Sequence, residues 1–325
     1  MPIPHDRVIA LDRTGIYESH YLKANGPDGQ KAFWIKHTLF RPLQGPAVAE
    51  LWFVWFQRGR PTRVTRMDVP WERLALSDGP RIDAGLARLA PDRAEGELGG
   101  IRWDLTLSGG LPPLLHLGSD WLYRGPFPKK KILTPVPGLR FDGRLWLDGQ
   151  PERVESWIGL RGHNWGSEHA LTYAYGNCND WEDGVERALD GFTARIRLLG
   201  RPSPPLTALC VRAPEGDRDL TRPWLWLHHG QIEDHAWHVR RPSTHLMMRC
   251  EPADMVGLRY NQPRGGEHYC YNGKFAQVSL RLGPHLLRSS RGELETFFAA
   301  PLPRIPLHPP ASWAARDGVY DSVTR

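Results

Sequence analysis

Glycine and proline divide this chain so finely that long helices have no room to form. There are 33 glycines and 30 prolines among 325 residues, and they separate short runs rich in Val, Ile, Trp, Phe and Tyr. Proline breaks helices, and the two residues together mark turns between strands. Residues 17–23 and 32–40 are two such runs, joined by Asn25-Gly26-Pro27-Asp28-Gly29-Gln30, which favours a hairpin. Residues 48–57 are apolar at both parities, as expected of a strand covered on both faces. Residues 61–71, 81–90 and 101–107 keep the even spacing of a barrel or sandwich, and 111–127 read as a short helix or lid. Residues 131–137, 139–147 and 152–160 complete a first unit. Nine further runs between 185 and 298 build a second, with tight turns expected at Gly230-Gln231 and Asn272-Gly273. Residues 300–325 are too proline-rich for a central strand and are expected to wrap the surface. The expected fold is all-β, with two tandem antiparallel β-barrels over residues 1–183 and 184–325.

Between the units lies a stretch unlike the rest, residues 157–181. Gly162 and Gly166 bracket His163-Asn164-Trp165, and glycine serves where backbone must approach another group closely. Beyond Gly166 the residues alternate. His169, Leu171, Tyr173, Tyr175, Asn177 and Asn179 share one parity, whereas Ala170, Thr172, Ala174, Gly176 and Cys178 share the other. A period of two gives one bulky face with polar tips and one nearly bare face. The bare face leaves room for a closely packed neighbour or for a ligand.

Several function classes fall away on composition. Hydrophobic residues at 40% and charged residues at 24% are those of a folded globular chain. The net charge of +6 is spread thinly, and the one basic run, Lys129-Lys130-Lys131, is too short for a nucleic-acid surface. No run approaches the roughly 18 apolar residues of an integral membrane segment, although the lysine run leaves peripheral membrane contact open. Cys178, Cys210, Cys250 and Cys270 contain no C-x-x-C pair, so a cytoplasmic location with free thiols is expected. Nucleophile-elbow, H-E-x-x-H, P-loop and dinucleotide motifs are missing. His228, His229, His235 and His238 flank a turn that would scatter them, so no metal site is expected. Fourteen tryptophans suit wide apolar cavities, where a rigid ring fills space and its N–H finds a partner.

Gly162-His163-Asn164-Trp165-Gly166, followed by an aromatic strand ending Asn177-Cys178-Asn179, resembles the central motif of the superfamily of carotenoid 1,2-hydratases, tocopherol cyclases and related cyclases. Residues 16–23 with Phe33-Trp34-Ile35, and Phe141-Asp142-Gly143 leading to Trp157-Ile158-Gly159, resemble its opening strands and the run into the motif. The likeness spans about the first 180 residues. It implies two lipocalin-like β-barrels side by side and a cofactor-free lyase or isomerase acting on an isoprenoid, carotenoid or polyketide-like molecule near their junction. The same cavity in a carrier would hold a lipid without chemistry. Protonating an alkene needs a carboxylic acid kept neutral by burial, and the resulting cation needs aromatic faces. Asp180 and Glu18 are the favoured acids, with Glu168, Glu182 and Asp183 nearby and His163 as a proton relay. Trp165, His169, Tyr173, Tyr175, Asn177, Trp181, His20 and Tyr21 are the expected substrate contacts. The plainer reading of His163-Asn164-Trp165 is structural, as a polar tie between barrels. Ser167-Glu168-His169 stands where tocopherol cyclases continue with proline and tryptophan, which argues against chromanol formation.

Overall fold

The computed structural model describes residues 5–77, 81–214, 216–227, 229–308, 314–316 and 319–321, with backbone alone at Asp12, Pro223 and the last two segments. Two curled antiparallel sheets dominate it. In the first, Arg63–Pro70, Val48–Gln57, Lys31–Arg41, Ile16–Asn25, Gln150–Gly166, Lys130–Leu147 and Ile101–Gly109 lie side by side in that order, continued by short strands back to Ala75–Leu76. In the second, Leu206–Arg212, Ala188–Arg195, Thr172–Cys178, His285–Phe298, Glu267–Leu282, Thr244–Arg249 and Ala236–Arg241 follow one another. The chain passes between sheets over residues 167–171, so Thr172–Cys178 already belongs to the second. Near the C-terminus, Val319–Asp321 pairs with Arg63–Pro70 at the edge of the first sheet. Among the described residues no helix is long and apolar enough to cross a membrane.

Local sequence explains most of these elements. The hairpin at 25–31 turns where expected, and residues 111–127 hold the one described α-helix, Asp120–Arg124. Two expected turns are absent. Asn272-Gly273 lies inside the long strand Glu267–Leu282, where a Cβ at Gly273 would sit 2.3 Å from Cys250 Sγ. That glycine is there for close packing, which a turn signal cannot be told from in sequence. Gly230-Gln231 likewise begins a strand, and its hairpin closes three residues later through the Glu233 N–H to the Ala236 carbonyl, 2.9 Å.

Burial divides the large apolar residues into three groups. Phe33, Phe53, Trp103, Phe141 and Trp157 fill the first half-barrel, and Trp237, Met248 and Tyr271 fill the second. Between the sheets lie Trp34, Trp52, Phe56, Tyr173, Tyr175, Tyr260 and Phe297. Strands at the junction are therefore covered on both faces. All ten positions of Ile16–Asn25 are buried, with Leu22 and Ala24 inside the half-barrel and Tyr21 turned to the opposite sheet. The bare face of Thr172–Cys178 is filled by its neighbours, since a Cβ at Gly176 would lie 2.5 Å from Met248 Sδ and 3.0 Å from Trp237.

Candidate functional site

The two outer faces do not fill the space between them. A cavity of about 90 Å³ remains at the junction, several times the roughly 10–15 Å³ that one water needs. Tyr21, Trp34 and Lys36 bound it from the first sheet, and Tyr173, Tyr175 and Glu295 from the second. Strand period explains the set. Trp34 and Lys36 share one parity of Lys31–Arg41, Tyr173 and Tyr175 share one parity of Thr172–Cys178, and Glu295 stands opposite Tyr175 across the ladder. Tyr21 pairs with Gly162 on the adjacent strand, and a Cβ there would lie 2.1 Å from the Tyr21 ring. The motif glycine thus lets the phenol lie across the backbone and reach the other sheet.

The polar groups form two arrays. In the first, the Tyr173 hydroxyl donates to Glu295, with the Lys130 amine 3.9 Å from the Tyr173 ring centre and the Lys36 amine 4.0 Å from that of Tyr260. In the second, the Tyr21 hydroxyl donates to Tyr175 Oη at 3.2 Å, and Tyr175 donates to Asp190 Oδ2 at 3.1 Å. Asp190 also accepts from Thr134 at 2.6 Å and meets His116 Nε2 at 2.8 Å. Burial holds Tyr21, Tyr173 and Tyr175 far above the ordinary phenol range, reinforced by Asp190 at Tyr21 and Tyr175 and by Glu295 at Tyr173. They act as neutral donors. Burial, and then the charges of Lys130 and Lys36, push His169 well below the usual imidazole value. Burial also brings the Lys130 amine down to about 8. The wall thus sets the Glu295 carboxyl group beside phenols whose single hydroxyl protons are committed to Glu295, Tyr175 and Asp190.

The residues singled out from sequence scatter over three places. Tyr21, His169, Tyr173 and Tyr175 border the cavity, and Asn177, on the same face, is sealed behind it with its amide donating to Glu293 at 2.6 Å. His20, His163 and Trp165 have the opposite parity and lie within the first half-barrel, where His163 stacks on His20 at 4.0 Å and on Trp165 at 4.5 Å. Of the motif triplet only Asn164 faces the cavity. Trp181 packs in the second core and donates to the Arg187 carbonyl at 3.3 Å.

The carboxylates expected to act as acids stand away from the cavity. Asp180 is half-buried against Arg291, 2.8 Å from its Nε, and Glu168 pairs with Lys129 at 2.5 Å. Glu182 and Asp183 are exposed. Glu18 is sealed inside the first half-barrel, accepting from Ala10 N–H at 2.6 Å, His163 at 2.8 Å and His20 at 3.0 Å. Burial alone would raise its carboxyl, but the bonds and charges of His163 and His20 outweigh this and hold it far below the usual range. A carboxylate held ionised in this way cannot be the neutral proton donor expected of it. Sequence reasoning missed Glu295, Lys36 and Asp190. The signal was there: Glu293-Leu294-Glu295-Thr296-Phe297 alternates at strand period, so both acids share a face with an aromatic ring.

One group among the described residues gathers metal-type ligands: Asp6, His20 and His163 offer atoms within 4.8 Å of one another. The Nε2 atoms of both imidazoles are already taken up by one oxygen, Glu18 Oε1, at 3.0 and 2.8 Å. Arg161 also lies 2.6 Å from Asp6. The cluster reads as a buried polar core. Of the four histidines around the expected turn, His229 meets Arg241 and His238 lies 3.5 Å from Glu233, without a shared centre; His228 lies outside the described residues.

Comparison of the sequence with family models and with curated proteins finds no significant match. Solved structures do align over nearly the whole chain. A protein from Nitrosomonas europaea provisionally designated AttH aligns with TM-score 0.57 at 12% identity, over 91% of this chain and 98% of its own. CghA aligns with TM-score 0.50 at 12% identity, over 93% and 97%. Kievitone hydratase from Nectria haematococca aligns with TM-score 0.49 at 9% identity, over 92% and 96%. With its two curled antiparallel sheets set side by side, the chain has the two-barrel, lipocalin-like fold shared by the Nitrosomonas protein and CghA.

Proposed function

We propose that this chain binds a compact, largely apolar molecule in the cavity between its half-barrels and moves protons on it, so as to hydrate, cyclise or rearrange an isoprenoid- or polyketide-like compound. One observation carries the reading: a carboxylate, Glu295, stands with a neutral phenol, Tyr173, on the wall of an apolar, indole-lined hollow. In that place Glu295 takes over the proton-transfer role that Asp180 and Glu18 are too remote to perform. In a hydration of an alkene conjugated to a carbonyl, Glu295 would take a proton from the attacking water as the C–O bond forms. The displaced electron pair would move onto the carbonyl oxygen, within the field of the Tyr21–Tyr175 hydroxyls, and the proton would return to carbon. Dehydration is the same path reversed. For a cyclisation, the faces of Trp34 and Tyr260 would shape the folded chain and stabilise positive charge.

The test begins with solvent extraction of natively purified protein and mass spectrometry of whatever is released. The recovered compound is then incubated with fresh enzyme in ¹⁸O-water or deuterium oxide. Isotope incorporation by the wild type, lost in Glu295→Gln while the compound still binds, is the expected result. Equal incorporation by Glu295→Gln would remove Glu295 from the reaction. A ligand returned unchanged by both proteins would make the chain a carrier, and a protein that releases nothing and binds no apolar probe would end the cavity reading altogether.

A further inference from the structure

The cavity sorts the lysines of this chain in a way that its apolar lining does not explain. Seven lysines are present, and five have an oxygen partner. Lys23 lies 3.8 Å from Glu293, Lys31 lies 2.7 Å from Glu152, and Lys129 lies 2.5 Å from Glu168. Lys131 donates to the Pro128 carbonyl, and Lys274 donates to Glu293 and to Asn272 at 3.1 Å. The two without an oxygen partner are Lys36 and Lys130, and both border the cavity. Lys36 is only 7% exposed. Its amine lies over ring faces, 4.0 Å from the centre of Tyr260 and 5.3 Å from that of Trp34, while Lys130 lies over Tyr173 at 3.9 Å.

An amine carries only donors, and ring faces return only part of what it loses on leaving water. Glu295, the carboxylate whose charge acts most on both amines, lies beyond 4.0 Å of each and already accepts the Tyr173 hydroxyl. Two donors therefore face one hollow with no protein acceptor, among the described residues, within hydrogen-bond distance of either. The buried pair beside the cavity shows what the fold does when it needs only structural satisfaction: Lys23 and Lys274 converge on Glu293. At Lys36 and Lys130 the corresponding oxygen is missing from the protein. Building on the reading of this cavity as a ligand site, we infer that its ligand supplies that oxygen: an apolar body ending in an acidic oxygen group, a carboxylate or an enolate- or phenolate-type oxygen, placed between Lys36 and Lys130. A neutral hydrocarbon would leave both amines unanswered, and a simple alcohol would accept from them without the charge that makes such bonds strong.

The experiment uses three probes with one apolar body, 1-naphthoate, 1-naphthylmethanol and 1-naphthylmethylammonium, titrated calorimetrically into the full chain. Naphthoate should bind at least tenfold more tightly than the alcohol, with the ammonium weakest. Lys36→Met/Lys130→Met, which keeps the apolar stems, should bring naphthoate down to the alcohol's level and change the alcohol less than threefold. Should the double variant fail to fold, Lys130→Met alone, at the half-buried position, should still lose most of the preference. If the alcohol binds as tightly as naphthoate, or the preference survives the lysine substitutions, the inference is overturned while the cavity reading stands. If none of the three binds at millimolar concentration, both fall together.

Discussion

Replacing Gly162 by alanine isolates the link between the central motif and the site. The glycine has ordinary extended backbone, so the added methyl group strains nothing by itself, and removing glycine from a strand should gain about 0.5–1 kcal/mol. The methyl group has nowhere to go. It would sit 2.1 Å from Tyr21 Cζ and 2.4 Å from Cε2 and Oη, where carbon contacts settle at about 3.5–4 Å. The ring must move by roughly 1.5 Å, and its 3.2 Å bond to Tyr175 cannot follow. Overpacking of this kind costs about 1–3 kcal/mol, and a lost neutral hydrogen bond about 1 kcal/mol. Set against the glycine gain, Gly162→Ala should lose about 1–3 kcal/mol in urea unfolding followed by tryptophan fluorescence. The decisive comparison is a double-mutant cycle. With Tyr21→Ala already in place the clash is gone, and Gly162→Ala should become neutral or stabilising. Equal destabilisation in both backgrounds would show that Gly162 serves something other than Tyr21, and the motif would lose its explained connection to the cavity.

Three further expectations follow from the buried charges. Burial, and then the charge of His20, hold His37 down to about 3, while burial and His20 hold His163 down to about 4. The unfolded chain takes up these protons near pH 6.5, so stability should fall as pH drops from there and level off below about pH 3–4. His37→Leu should remove up to one proton's worth of that slope, about 1.4 kcal/mol per pH unit; urea midpoints at pH 7.5, 6 and 5 that drop equally in both proteins would contradict it. Glu293→Gln leaves Lys23 and Lys274 without their shared carboxylate and should cost about 3–5 kcal/mol, partly recovered in Glu293→Gln/Lys274→Met. Thermal melts showing no recovery would mean that the loss is not one of charge pairing. Asp180→Asn touches only the partly exposed Arg291 pair, so ligand affinity and turnover should stay within twofold of wild type; a large loss of turnover would return Asp180 to the site.

Much of the fold is legible in the residues because strands announce themselves locally. Alternation, the hairpin at 25–31 and the both-faces-apolar run at 48–57 depend on neighbours in sequence, and the structure has strands at these places. The failures have a common cause. A glycine in a turn and a glycine under a neighbouring side chain look alike in sequence, so Asn272-Gly273 signals a turn while Gly273 packs against Cys250.

The site divides along the same line. Period two by itself establishes that Tyr173, Tyr175 and Asn177 share a face, and the sequence alone establishes an all-β chain with a polar aromatic strand near its middle. It cannot say which face of a doubly covered strand meets the cavity and which the core. His163 and Asn164 are neighbours in one motif, yet the first lies in a sealed polar core and the second at the hollow. Tertiary structure alone decides that, and it alone brings Lys36, Lys130, Tyr173 and Glu295 from four strands to one wall. The cavity at this junction is lined by groups as far apart in the chain as residues 36 and 295, and no local pattern records a proximity that long-range strand pairing creates.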